Sequence, residues 1–424
     1  MTEATDALFA TIRLNRRVYA IIFVLLIMIG SALRITGFGG VVHRTPDENT
    51  YAWESNVIAD QGVQGFRSLV DQFQRDPSMF ERPSPSRAGY LWILSGVVHV
   101  SGVRDARAGA ILSCLSSIGS LVLLGLIAWR RLSPGIAVAA MLLYAVSPPV
   151  LAMARRSWQE SFVEFVSLLL LFVALEAVKE KASKCWIVAA GVLAASSITI
   201  KEIALLDAGL VLALLAIALI RRGDWRKLGL LALSSAVSGT LCCAWLAHEL
   251  GSLSILISFT RRNLAVAGTS AYALAWQSGS VSDWFTSLWI CDPMIFTLGM
   301  VGLVIAIMFL LRSGNSLERH SCSWLSIVAL FFVTLPVLTP HHLNVRFICP
   351  VFGPLCLLSG LAVWEIGAGL YRTLRGNECR WTTRFALAVF LCAAFINYQG
   401  FQERFVHSDL QDLSIRMIQA VDFH

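Results

Sequence analysis

The sequence predicts an all-α polytopic membrane protein of about eleven transmembrane helices. Of its 424 residues, 56% are hydrophobic and only 14% charged, whereas soluble domains carry roughly a quarter charged residues. Apolar runs of about 17–25 residues recur along almost the whole length, each long enough to cross ~30 Å of hydrocarbon as a helix. The ~10-residue alternating segments of a membrane barrel do not occur.

Taken in order, the apolar runs fall at 18–38, 107–129, 134–152, 161–178, 184–200, 203–220, 228–250, 291–311, 323–339, 347–371 and 384–400. The first is too long for a signal-peptide core and has no convincing small-residue cleavage site, so it reads as a span. One further stretch, Ala88 to Gly102, reaches only about fifteen residues and suits a re-entrant or interfacial helix. The expected organisation is a cytoplasmic N-terminus over 1–17 and a transmembrane domain over 18–400. Within the latter, 39–106 forms a long first extracytoplasmic loop bearing juxtamembrane helices, and 401–424 is a short extracytoplasmic tail.

Charge supports that arrangement. The net charge is +7, but the basic residues form short clusters between spans, where they act as topology determinants rather than as a nucleic-acid surface. With eleven spans, Arg13/Arg16/Arg17, Arg130/Arg131, Lys179/Lys181/Lys184, Arg221/Arg222/Arg226/Lys227, Arg312/Arg319 and Arg372/Arg375/Arg380/Arg384 all lie inside. Counting Ala88–Gly102 as a span would move every later cluster outside. The ten cysteines show no metal-ligand spacing, and most fall within spans, where they behave as small hydrophobes.

The same topology places several polar groups on the outer face. Pro46-Asp47-Glu48 follows the first span, and acids held close to hydrocarbon are more often functional than decorative. A carboxylate there suits a general base, a hard-cation ligand or a stabiliser of positive charge. Asp47 and Glu48 equally suit the first turn of a helix, which the following Thr50-Tyr51-Ala52-Trp53-Glu54 resembles. Glu160 opens another helix, with Glu164 on the same face at (i, i+4). Arg155 and Arg156 stand ready either to pair with Glu160 or to grip a phosphate bidentately. Lys201-Glu202 joins two spans with almost no loop, so Lys201 either snorkels or meets a phosphate. Arg346, in His341-His342-Leu343-Asn344-Val345-Arg346, cannot deprotonate and needs an anion or a wet cavity at the membrane boundary. Arg261-Arg262 lies in the 251–290 connection, read as a loop.

In order and spacing these residues resemble the GT-C superfamily of integral-membrane glycosyltransferases, over roughly residues 18–370. The acidic pair of the first outer loop is matched by Pro46-Asp47-Glu48. Ala88-Gly89-Tyr90-Leu91-Trp92 and Val103-Arg104-Asp105-Ala106-Arg107 are similar to segments of the aminoarabinose-transferase branch. Glu160 stands where many members have Asp, and Thr199-Ile200-Lys201 approximates a Thr-Lys motif. His342 and Arg346-Phe347 match the spacing in the mannosyltransferase branch. Two features depart from the pattern: many members carry a sizeable extracytoplasmic domain after the last span, and the Asp-X-Asp of oligosaccharyltransferases is absent, which argues against that role.

The resemblance implies transfer of a sugar, with inversion, from a polyprenyl-phosphate-linked donor to a lipid, glycan or protein acceptor. It implies a bacterial plasma membrane with the site on the extracytoplasmic face. Asp47, Glu48 and Glu160 would be catalytic, while Lys201, Arg346, His342 and Arg155 would bind the donor phosphate. A divalent cation held by Asp47 and Glu160 is an open expectation. The rival classes are a lipid or sugar carrier without chemistry and a non-catalytic subunit. Carriers tend to show internal repeats and midplane charges, and here there is no repeat and the polar groups collect at one face.

Overall fold

The computed structural model describes residues 16–36, 46–76, 84–269, 281–312, 319–334, 349–373 and 390–403. They are overwhelmingly helical, and no strand occurs among them. The helices are α1 (Arg16–Ile35), α2 (Pro46–Arg75), α3 (Ala88–Ser101), α4 (Arg107–Arg131), α5 (Pro134–Val146), α6 (Pro148–Ala154), α7 (Glu160–Ala177), α8 (Lys184–Ser196), α9 (Glu202–Arg221), α10 (Trp225–Leu250), α11 (Leu253–Thr269), α12 (Val281–Cys291), α13 (Pro293–Arg312), α14 (Arg319–Thr334) and α15 (Cys349–Thr373). Residues 390–403 form a last helix, α16.

A helix occupies each of the eleven expected positions. Among the described residues six (α1, α4, α9, α10, α13 and α15) are long and apolar enough to span outright. The bent pair α5 and α6 makes a seventh, broken by 62°. That break has a local cause: Pro148-Pro149 cannot continue a helix from Val146, and Ser147 adopts an extended conformation between the two pieces. The protein is an integral membrane protein, and its lipid-facing side chains show it. On α1, Ile21, Val24, Leu25, Met28 and Ile29 point outward, which is costly in water and favourable in hydrocarbon.

The centre of the bundle is made by α4, α5, α7 and α15, with α1, α13 and α9 packed around them. α7 belongs to this core although it carries Glu160, Glu164 and Glu176, because each acid has a partner inside the protein. Arg34 is fully buried at the end of α1, held by the Ser117 hydroxyl at 2.8 Å and the Gly30 carbonyl at 2.9 Å.

Outside the core, α3 is only 14 residues long, about 21 Å, too short to cross the bilayer, as expected. α2 is amphipathic rather than apolar and bends at Gly62, whose φ of 59° and ψ of −133° suit glycine alone. The 251–290 connection is not a plain loop: it contains α11 and α12. Ser252 caps the start of α11, its hydroxyl accepting the Ile255 backbone N–H at 3.2 Å.

The two ends of the bundle differ in chemistry. At one end Glu176 faces Arg130 at 3.7 Å, Arg131 at 3.6 Å and Lys179. Beside it Arg222 donates to the Val178 carbonyl and Lys227 to that of Glu180. The other end of α7, about 27 Å away over its 18 residues, begins at Glu160. The Arg130/Arg131, Lys179 and Arg222/Lys227 clusters thus gather at the end of α7 opposite Glu160.

Candidate functional site

The site end is built from four stretches far apart in sequence. Pro46 starts α2 and puts Asp47 and Glu48 in its first turn, where unpaired backbone N–H groups favour carboxylates. Asp47 is half-buried and Glu48 fully so. Glu48 Oε1 accepts the Ser157 backbone N–H at 2.8 Å, and its Oε2 lies 3.3 Å from Arg156 Nη2. The Arg156 guanidinium stacks over the Trp158 ring at 4.5 Å.

This ion pair fastens α2 to the turn between α6 and α7. The same turn is tied to α4 by Ser113, whose hydroxyl donates to the Trp158 carbonyl at 2.8 Å. α4 passes so close that a Cβ on Gly109 would fall 1.7 Å from Ser157 Oγ, so glycine is required there. Glu160 then opens α7, and its Oε1 receives Lys201 Nζ at 2.6 Å. The two side chains are only 7% and 10% exposed. Lys201 reaches this position because its backbone is extended (φ −164°, ψ 151°) between the 3-10 turn Ser197–Thr199 and α9. That turn lies against α3, where a Cβ on Gly89 would come 2.1 Å from Thr199 Oγ1.

α2 and α3 also supply two tyrosines. Arg87 Nη1 donates to the Tyr51 hydroxyl at 2.8 Å. The Tyr51 and Tyr90 rings meet edge to face at 5.4 Å, and Tyr90 packs on Phe162 at 6.1 Å. Burial pushes the Tyr51 phenol up, and the Asp47, Glu160 and Glu54 carboxylates add to this against Arg87. Burial likewise raises the Tyr90 phenol, reinforced by Tyr51, Glu160 and Glu48. Both stay protonated over the physiological range. One turn deeper, Glu164 Oε2 accepts from Tyr144 at 2.9 Å and from Cys349 Sγ at 3.5 Å, so it joins the bundle interior.

Two ion pairs thus organise this end of the bundle, with Asp47 next to Glu48 in the first turn of α2. Glu160 pairs with Lys201, and Arg156 pairs with Glu48. Arg155 does not reach Glu160: its Nη2 donates to the Leu33 carbonyl at 3.1 Å and to that of Thr36, closing the end of α1, and it stacks over Phe401 at 4.7 Å. Burial lowers its pKa. His342 and Arg346 lie outside the described residues. Among the described residues no three His, Cys, Asp or Glu side chains gather as a metal-ligand group. Glu48 and Glu160 already face cations, so as they stand they do not fit a divalent ion.

Sequence reasoning passed over Tyr51, Arg87 and Tyr90 as site groups. A signal existed for Arg87, a charge directly before an apolar helix too short to span. Nothing in the periodicity singled out the tyrosines.

Residues 87–248 match the family model for dolichyl-phosphate-mannose-protein mannosyltransferase. No curated protein matches the chain by sequence. Among solved structures, the oligosaccharyltransferase AglB of Archaeoglobus fulgidus, in complex with an inhibitory peptide and a dolichol-phosphate, superposes with TM-score 0.64 at 15% identity, covering 93% of this chain and 56% of that one. The A. fulgidus oligosaccharyltransferase in complex with Zn and sulfate gives 0.60 at 16%, covering 91% and 53%. ArnT from Cupriavidus metallidurans bound to undecaprenyl phosphate gives 0.56 at 15%, covering 94% and 74%. The chain has the GT-C fold. It spans little more than half the length of the archaeal GT-C chains. The matched stretch holds Arg87, Tyr90, Arg155, Arg156, Glu160 and Lys201 and begins after Asp47 and Glu48.

Proposed function

We propose that this protein is a glycosyltransferase moving a sugar from a polyprenyl-phosphate-linked donor to an acceptor hydroxyl, with inversion, at the extracytoplasmic face of a bacterial plasma membrane. The observation that carries the reading is the buried Glu160–Lys201 pair at one end of a membrane bundle, with the Asp47 and Glu160 carboxylates both acting on the Tyr51 phenol beside it. A leaving phosphate needs its developing charge met by a preorganised cation, usually the largest catalytic term, and Lys201 is buried and held in place. The family match and the prenyl phosphates bound in AglB and ArnT support a donor of this class.

In the proposed reaction Asp47 takes the proton from the acceptor hydroxyl, whose oxygen attacks the anomeric carbon. The bond from that carbon to the phosphate oxygen breaks, and polyprenyl phosphate departs with the electron pair toward Lys201. His342 and Arg346 would add contacts to the same phosphate. Glu160 holds Lys201 and orients the acceptor, while Glu48 anchors the turn beneath them. A divalent cation between Asp47 and Glu160 would have to displace Lys201, so no step is assigned to one. The acceptor is a lipid, a glycan or a protein.

The test is incubation of the purified protein with a panel of undecaprenyl-phosphate hexoses and pentoses plus membrane acceptors, with mass spectrometry of released undecaprenyl phosphate. Release dependent on acceptor is expected from at least one member. Passage of labelled lipid across vesicles without any release would replace the transferase with a carrier.

A further inference from the structure

The Tyr90 hydroxyl is fully buried yet has no hydrogen-bond partner among the described residues. Its neighbours make this unusual. The ring packs edge to face on Tyr51 at 5.4 Å and against Phe162 of α7 at 6.1 Å, and Glu48, Glu160 and Arg87 act on the phenol electrostatically. The carboxylates there are engaged elsewhere, Glu48 by Arg156 and Ser157 and Glu160 by Lys201. Gln159, beside Glu160, is equally buried, and neither of its amide atoms has a partner among the described residues. Buried polar groups are nearly always satisfied, and an exception at a site calls for a missing partner.

The chemistry of that partner can be narrowed. A phosphate gains most where it touches a cation directly, which in the proposed reaction is Lys201 rather than the phenol. An apolar group would leave the hydroxyl as unsatisfied as before. A neutral group rich in hydroxyls both accepts from the phenol and donates to the carboxylates, and the Tyr51, Tyr90 and Phe162 rings give it apolar surface. In a donor whose phosphate lies at Lys201, the group attached next to that phosphate is the sugar, and Lys201 touches Glu160.

We infer that Tyr90 hydrogen-bonds a hydroxyl of the transferred sugar and is a specificity-determining residue for the donor. The inference rests on the transferase reading above. A buried donor built to meet a sugar hydroxyl discriminates strongly against a sugar that lacks it or points it elsewhere, because the phenol is then left unpaired.

The variant Tyr90→Phe keeps the ring and its packing and removes only the hydroxyl. Binding of undecaprenyl phosphate and of the undecaprenyl-phosphate sugar panel is measured for both proteins in detergent, alongside transfer and thermal unfolding. The expected result is that Tyr90→Phe binds undecaprenyl phosphate as the wild type does, while the wild-type preference for its best sugar donor falls about tenfold or more. An unfolding temperature at or above the wild-type value is expected too, since no bond within the protein is lost. An unchanged donor preference in Tyr90→Phe overturns the inference. So does weaker binding of undecaprenyl phosphate itself, which would assign the hydroxyl to the phosphate. A raised KM for acceptor alone would assign it to the acceptor and overturns it equally. If the wild type consumes no member of the panel, the transferase reading has failed and the sugar contact falls with it.

Discussion

Lys201 Nζ lies 2.6 Å from Glu160 Oε1, joining two helix starts that are 41 residues apart in sequence. Both groups are nearly excluded from solvent. A buried pair of this kind adds little net stability over an apolar substitute, yet removing one partner strands the other charge. The pair is therefore a weak argument for stability and a sensitive point for substitution.

The stranded charge is measurable. Lys201→Ala leaves Glu160 buried and unpaired at that contact, at a cost of about 3–5 kcal/mol. Lys201→Ala/Glu160→Gln should recover part of this in detergent thermal unfolding, because the buried charge is gone as well. Equal unfolding of the single and double variants would show that the two groups are not coupled.

Glu48 and Asp47 are neighbours in sequence with opposite expectations. Glu48 is fully buried against Arg156, so Glu48→Gln should lower stability on the order of 3–5 kcal/mol and reduce activity as the α6–α7 turn loosens. Asp47→Asn at its half-buried position should unfold close to the wild-type temperature. Chemical denaturation of the two variants side by side decides between anchor and reactive group, and the reverse order would exchange their roles.

Much of this was legible in the sequence. Spans are long and apolar, so hydropathy and the basic clusters located a helix at every expected position and rejected Ala88–Gly102 as a span. The acids and Lys201 were visible because charge near hydrocarbon is costly and stands out. Pairing was not visible: Arg155 and Arg156 are adjacent and chemically identical, and only the α6–α7 turn sends one to Glu48 and the other to the end of α1. Tyr90 was silent because an aromatic in an apolar helix looks like core until its hydroxyl is found among carboxylates. The helices of 251–290 were missed because nothing in their charge or length marked them as spans.

The close approach of α3 to the Lys201 junction yields a separate prediction. A methyl on Gly89 would meet Thr199 Oγ1 at 2.1 Å and the Thr199 carbonyl at 3.0 Å. Gly89→Ala should cost about 1–3 kcal/mol and displace Lys201, lowering turnover. Gly96→Ala, on the same helix with open space around it, is the control and should be neutral or slightly stabilising. Matching behaviour of the two would mean that α3 does not set the junction.

Topology is open to labelling. Cys185 is exposed at the start of α8, on the end that carries the basic clusters, and Gln64 is exposed on α2. In right-side-out membranes an impermeant thiol reagent should modify Gln64→Cys in a Cys185→Ser background and should leave native Cys185 untouched until the membrane is opened. The inverse pattern would place the acidic end in the cytoplasm and require a cytoplasmic donor.

The acids separate a transferase from a carrier most directly. Asp47→Asn keeps the size of the side chain while removing the charge and the base, so turnover should fall about 10²–10⁴-fold with undecaprenyl-phosphate binding much less affected. Glu160→Gln should lower turnover more mildly, because the amide still accepts from Lys201 but holds it less firmly in front of the leaving phosphate. Single-turnover release of undecaprenyl phosphate, with donor binding measured in parallel, reads both effects. A carrier has no chemical product to lose, so neither substitution would change one. Glycosyl transfer by Asp47→Asn at the wild-type rate would remove Asp47 from the chemistry. Its place in the first turn of α2, where a carboxylate meets unpaired N–H groups, would then be its whole role.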